Sequence, residues 1–148
     1  LKFISEILKE AGFRAPIRKN IRDEIWLKLI GNLSFNPISA LTGATLEQIC
    51  NDMGTEAIVR EMMLEAKTIA EKLEAKINMS IEKRIDGARK VGAHKTSMLQ
   101  DIEAGKPIEI NSIIVAVKEL GELTSSPTPY ISAILNLTLQ KAKLIGCL

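Results

Sequence analysis

Three polar side chains, Lys28, Asn32 and Asn36, stand four residues apart. A helix turns about 100° per residue, so this spacing drifts by only about 80° over eight residues. The three therefore share one face and climb roughly 6 Å per step. One ammonium and two carboxamides on such a stripe could line a polar cleft. The lysine could donate a proton, and the amides could hydrogen-bond hydroxyl or carbonyl oxygens. Ile25, Trp26, Leu29 and Leu33 flank the stripe and set it beside the core. The same spacing also fits a solvated lysine with two asparagines near a helix end, and spacing alone favours that plainer reading.

A second candidate is Ser97, followed three residues later by Gln100. That pair is a capping-box pattern, so Ser97 could simply cap a helix. Its hydroxyl and the free amides of a helix start could also receive a carboxylate. Spacing favours the cap, and the two roles can coexist. Glu109 follows Lys106-Pro107 and either stabilises a helix start or projects into a cleft. His94 is the only histidine and reads as a surface residue. Cys50 and Cys147 lie in no metal-ligand spacing, so no metal site is expected and a reducing compartment fits best. No G-x-G-x-x-G or P-loop pattern occurs, so nothing in the sequence is built to hold a pyrophosphate.

Helices must position these groups, because helical periodicity runs through the chain and strand signals are almost absent. An all-α fold of six or more helices is expected. Residues 1–11 read as a short amphipathic helix before Gly12. Residues 21–41 read as a helix in which Pro37 predicts a kink or break near Asn36, with Thr42-Gly43 as its stop. Thr45 and Gln48 form a capping box that opens a short helix. Residues 55–77 carry the longest stripe, Ile58, Met62, Ile69, Leu73 and Ile77, and predict a helix through the middle of the domain. A shorter helix is expected over 80–91, and 92–107 is the least regular stretch. The apolar run Ile113–Val117 could be a strand, but its continuation through Leu120 and Leu123 favours a buried helix over 110–123. Thr128-Pro129 reads as a cap and first-turn proline opening a last helix to about Gly146.

With 148 residues, 46% of them hydrophobic, the chain can bury one core, and residues 1–148 read as a single domain. Net charge is +2, from 20 basic and 18 acidic side chains. So weak and dispersed a bias points to neither nucleic acid nor a membrane surface as a partner. No apolar run approaches the length of a membrane span. The opening at Leu1, without Met, reads as a fragment or processed chain.

The segments together resemble the ketopantoate reductases. Trp26-Leu27-Lys28-Leu29, then Asn32, then Asn36-Pro37-Ile38-Ser39-Ala40-Leu41-Thr42-Gly43, is similar to that family's W-x-K-L, N and N-P-L-S-A-L-T-G stretch. Ser97 through Ile110 is similar to its S-M-L-Q-D…E-I-D stretch, and Pro127-Thr128-Pro129 to its P-T-P. The resemblance covers roughly residues 13–143. It implies the helical C-terminal domain of the type shared with 6-phosphogluconate dehydrogenase, with the N-terminal Rossmann domain absent. It implies catalytic roles for Lys28, which protonates the ketone oxygen, and for Glu109. It implies substrate contacts for Asn32 and Asn36, and carboxylate binding for Ser97. The implied reaction is reduction of 2-dehydropantoate to pantoate by NADPH, on the route to pantothenate and coenzyme A, in the cytoplasm. NADPH would be held mainly by the missing domain. The implied partners are a small 2-keto acid and that Rossmann domain. The face left bare by the missing domain is expected to be the stickiest surface and to give a homodimer or larger species at high concentration. Two departures are visible: Ala44–Glu47 lacks a further asparagine carried by some members, and Asn111 replaces the usual acid after Glu-Ile.

Overall fold

The long α2 begins because Asn20, in extended conformation, accepts the Arg22 N–H at 3.1 Å, with Asp23 and Glu24 in the first turn where negative charge suits the helix dipole. It ends at Gly43, which adopts φ 74° and gives its N–H to the Ser39 carbonyl. Around it, the computed structural model describes residues 1–148 as helices joined by short loops, without a strand. The order is α1 (Lys2–Glu10), α2 (Ile21–Thr42), α3 (Leu46–Asn51), α4 (Met53–Lys72), α5 (Ile81–Val91) and α6 (Ser97–Glu103). A π-helical turn (Asn111–Val115) then runs into α7 (Ala116–Leu123), and α8 (Pro129–Ile145) closes the chain. The all-α expectation holds, and Ile113–Val117 is helical, with Ile113 and Ile114 buried.

The helix α4 occupies the middle, packing on α2, α3, α5, α7 and α8. Its Val59, Met62, Met63, Ala66 and Ile69 are fully buried, in one core cluster with Leu33, Ile114, Val117 and Ile131. Its end differs from expectation. The helix stops at Lys72, five residues before Ile77, because Glu74 takes the left-handed φ of 62°. The Ala75 N–H then bonds back to the Ala70 carbonyl at 2.9 Å, and Glu74 N–H to Glu71 at 3.0 Å. That is a Schellman motif with a glutamate where glycine is usual. The apolar period continued past it, which is why periodicity overran the boundary.

Pro37 does not break α2. Without an N–H it leaves the Leu33 carbonyl unpaired within the helix, at a cost of about 3 kcal/mol. Residues 33–40 are all buried, so packing on both sides of the proline outweighs that cost.

Several helix ends are closed by side chains from other helices. The Thr128 hydroxyl pairs with the Ser132 hydroxyl at 3.3 Å and does not accept a backbone N–H at the start of α8, against expectation. Glu65 of α4 does so instead, accepting the N–H groups of Tyr130 at 2.8 Å and Ile131 at 2.9 Å. Lys72 donates to the Thr124 and Ser125 carbonyls at the end of α7, and Lys141 to Ala40 and Leu41 near the end of α2. In contrast α1 leaves its apolar face open: Phe3, Ile4, Ile7 and Leu8 are all exposed.

Candidate active site

Lys28, Asn32 and Asn36 lie on α2 in a gradient of burial. Lys28 is exposed, Asn32 half-buried, and Asn36 only 5% exposed. The gradient arises because α2 starts at the surface and dives into the core. Of the two other candidates, one sits on and one just before an element packed against α2, since both α6 and the π turn touch it. Ser97 is the first residue of α6, and Glu109 lies two residues before the π turn. Both are exposed. The fold thus brings the three segments that carry the candidates side by side. No hydrogen bond or ion pair joins any two of the five, and none lines the main concavities of the surface.

Ser97 is not the cap of its helix. Thr96 holds that position, accepting the Leu99 N–H through its hydroxyl at 3.3 Å. Gln100 turns its amide to the Lys95 carbonyl at 2.8 Å. The capping-box spacing is real at Thr45 and Gln48, but at Ser97 a second hydroxyl residue one position earlier takes the cap. The Ser97 hydroxyl is consequently free for another partner.

For exposed Lys28, Ser97 and Glu109 the lack of a partner is ordinary hydration. Asn36 is the more confined case. Buried amides are normally hydrogen-bonded, yet Asn36 makes no bond within the chain and its polar atoms are not sealed off from the surface. Its neighbours Ser34 and Ser39 are both satisfied, bonding to Ile30 and Ala44 carbonyls at 2.9 and 2.7 Å. An unspent carboxamide at the inner end of the stripe is suited to grip an oxygen-bearing ligand.

Two groups escaped the sequence reading. Arg84 of α5 lays its guanidinium across α2 at Gly31, where an added Cβ would come within 2.1 Å of a guanidinium nitrogen. Its Nε is buried and unpaired, and Gly31 is three residues from Lys28, so Lys28 of α2 and Arg84 of α5, neither in an ion pair, lie on adjoining faces of α2. The signal was Gly31 itself, a glycine in mid-helix without a turn to explain it. The other is Glu65. Burial pushes its carboxyl above the usual range, and the Ile131 and Tyr130 amides only partly offset this. Burial likewise raises the Cys50 thiol, with the Arg89 guanidinium pulling the other way. Both cysteines are buried and free, and His94 is exposed.

The family model for the C-terminal part of ketopantoate reductase (PanE/ApbA) matches residues 20–142. This chain belongs to the ketopantoate reductase family. It is 54% identical over 144 residues to the 2-dehydropantoate 2-reductase of Mesorhizobium japonicum, covering 97% of this chain and 44% of the relative. A solved chain from Ralstonia solanacearum MolK2, described as a candidate ketopantoate reductase, superposes with TM-score 0.94 at 37% identity, over 100% of this chain and 45% of that one. The 2-dehydropantoate 2-reductase of Methylococcus capsulatus gives 0.87 at 29% identity, over 97% of this chain and 50% of that one. The chain thus spans less than half the length of the curated relatives it matches. It is the C-terminal, helical domain of this family.

A dinucleotide's pyrophosphate is cradled by a glycine-rich turn between a strand and a helix. No strand is present here, and the glycines with positive φ, such as Gly43 and Gly146, end helices singly. These residues do not fit the phosphates of NADPH. No helix is long and apolar enough to cross a membrane, and no group of His, Cys, Asp and Glu side chains could hold a metal ion.

Proposed function

We propose that this chain is the substrate-holding half of an NADPH-dependent cytoplasmic reductase that converts 2-dehydropantoate to pantoate, supplying pantothenate and coenzyme A synthesis. The observation that carries the reading is the α2 stripe, with an exposed ammonium at one end and a buried, unbonded carboxamide at the other. The hydride comes from a cofactor held by the remainder of the protein. Lys28 gives its proton to the ketone oxygen and steadies the charge that develops there. Asn32 and Asn36 hold the substrate's oxygens, and Ser97 receives its carboxylate. Glu109 lies at the mouth and orients the substrate hydroxyl or the lysine.

The bare apolar surface fits a missing partner domain. Besides α1, Phe13, Ile17, Ile21 and Ile25 are exposed, and a concavity of about 660 Å³ runs between α1 and residues 14–21. A Rossmann domain seated there would close the cleft over the outer end of the stripe.

The test is a pair of measurements. The natural full-length protein is expected to oxidise NADPH with 2-dehydropantoate, tested beside other branched 2-keto acids because of the departures at Ala44–Glu47 and Asn111. The 148-residue chain alone is expected to show no tight NADPH binding by calorimetry. A full-length protein that leaves 2-dehydropantoate untouched, or a chain that binds NADPH tightly by itself, would overturn the assignment.

A further inference from the structure

One half-buried arginine has no partner. Arg60 and Arg89 are half-buried too, and each holds two carboxylates, Glu56 and Glu82 for the first, Glu56 and Asp86 for the second. Arg84 is in no ion pair, and its Nε is shut off from water without a hydrogen bond. Its two terminal nitrogens are not sealed in this way, so they can meet a ligand. The residue beneath it is a second observation. Gly31 is buried in the middle of α2, and a Cβ there would come within 2.1 Å of a terminal guanidinium nitrogen and 2.8 Å of Cζ. Glycine weakens a helix interior, and here the space it frees is filled by the guanidinium. At about 100° per residue, Gly31 lies between Leu27 and Lys28 around the helix, about 40° from one and 60° from the other. Arg84 lines a small cavity of about 10 Å³ together with Leu27 and Ile30, so it comes in from the Leu27 side and ends on Gly31. Cβ positions three residues apart on a helix are about 5–6 Å from each other, which puts the terminal nitrogen within about 8 Å of the Lys28 Cβ.

We infer that Arg84 is a further substrate-binding residue, whose guanidinium receives the carboxylate of the 2-keto acid while the neighbouring Lys28 serves the ketone oxygen. The inference rests on the reductase reading above. A 2-keto acid carries its carboxylate on the carbon next to the ketone, so the group that binds the carboxylate must stand beside the group that serves the ketone. Gly31 admits Arg84 to that place, one helical turn from Lys28. A planar guanidinium meets a carboxylate with two parallel N–H···O bonds, which the point charge of a lysine does not. Ser97, on α6 against the same helix, offers one hydroxyl donor to a group with about four lone-pair sites, so the two residues can share it. The fork also sets specificity. A planar anion satisfies it, whereas the ester of the same acid lacks the charge and leaves the guanidinium unmatched.

The test uses the natural full-length protein and a panel of branched 2-keto acids that includes 2-dehydropantoate. Arg84→Met keeps the stem and removes the fork. It should raise KM by about 10–100-fold, as expected for loss of a charge-assisted pair. The effect on KM should exceed that on kcat, because the carboxylate is held in ground and transition states alike. Arg84→Lys keeps stem and charge but not the fork, and its KM should fall between the two. Gly31→Ala should raise KM as well, since its Cβ displaces the guanidinium, and the double variant should be no worse than Arg84→Met alone. Wild type should favour an acid of the panel over its methyl ester, and Arg84→Met should narrow that preference. Added guanidinium ion should lower the KM of Arg84→Met, a rescue that an arginine serving only to pack on α2 would not show. Circular dichroism of each variant should match wild type. If the wild type reduces an acid of the panel while folded Arg84→Met or Arg84→Lys keeps its KM within about twofold and its ester preference unchanged, the role of Arg84 is overturned and the reductase reading stands. A wild type that reduces none of the panel overturns both.

Discussion

Replacing Glu65 tests the idea that α4 closes the start of α8. The carboxylate accepts two backbone N–H groups, from Tyr130 and Ile131, at 2.8 and 2.9 Å. Ile131 is fully buried, so in Glu65→Ala its N–H loses its partner where water enters poorly, at about 1–3 kcal/mol. Tyr130 is partly exposed and can be hydrated, which limits that loss to about 0.5–1 kcal/mol. Glu65→Ala should therefore cost about 2–3 kcal/mol, lowering the urea midpoint by roughly 1 M or more for a slope near 2 kcal/mol/M. Glu65→Gln should cost less, since one amide oxygen still accepts and the desolvated charge is gone. Its pH dependence has a definite sign. The folded carboxyl titrates above the ordinary value of 4.5, chiefly through burial. Its contribution is then fully present below the unfolded pKa and declines as pH rises through the higher folded one. Wild type should thus lose stability relative to Glu65→Gln as pH climbs from about 4.5 towards neutrality. Equilibrium urea unfolding of both proteins across that window measures it. An alanine variant within 0.5 kcal/mol of wild type, or a wild-type-minus-glutamine difference that grows with pH, would refute the reasoning.

Other outcomes follow from the same contacts. In the full-length enzyme Lys28→Ala should mainly lower kcat, because a proton donor acts in the transition state, whereas Ser97→Ala should mainly raise KM by loss of a carboxylate contact. Normal turnover by Lys28→Ala in steady-state assays would remove lysine from the acid role. Glu74→Gly should stabilise the domain by about 0.5–1 kcal/mol, since it relieves a left-handed glutamate at the end of α4, and thermal unfolding would show this as a rise in Tm.

Where the chain speaks locally, the sequence was readable. The α3 capping box, the start of α5 at Ser80 and the stop at Gly43 are set by residues within a few positions of one another. The misreadings occur where a distant partner decides. Thr128 loses its capping role to Glu65, 63 residues away in sequence, and no local rule could show that exchange. Pro37 should disrupt a lone helix, but the core on both sides of it holds α2 intact. The α4 boundary was hidden differently: a glutamate in the left-handed region carries none of glycine's signature, so the apolar period seemed to run on to Ile77.

The site shows the same division. Spacing alone placed Lys28, Asn32 and Asn36 on one face but favoured a solvated face over a functional one. Burial adds to the spacing: the stripe runs inward from the surface and ends in an asparagine that is 5% exposed and makes no bond within the chain. Its polar atoms stay open to the surface, so water can occupy them in the free chain and give way to a ligand. That ligand must carry hydrogen-bonding oxygens and approach along α2 from the Lys28 end, where the ammonium suits an anion. The small 2-keto acid of the proposed function has both properties.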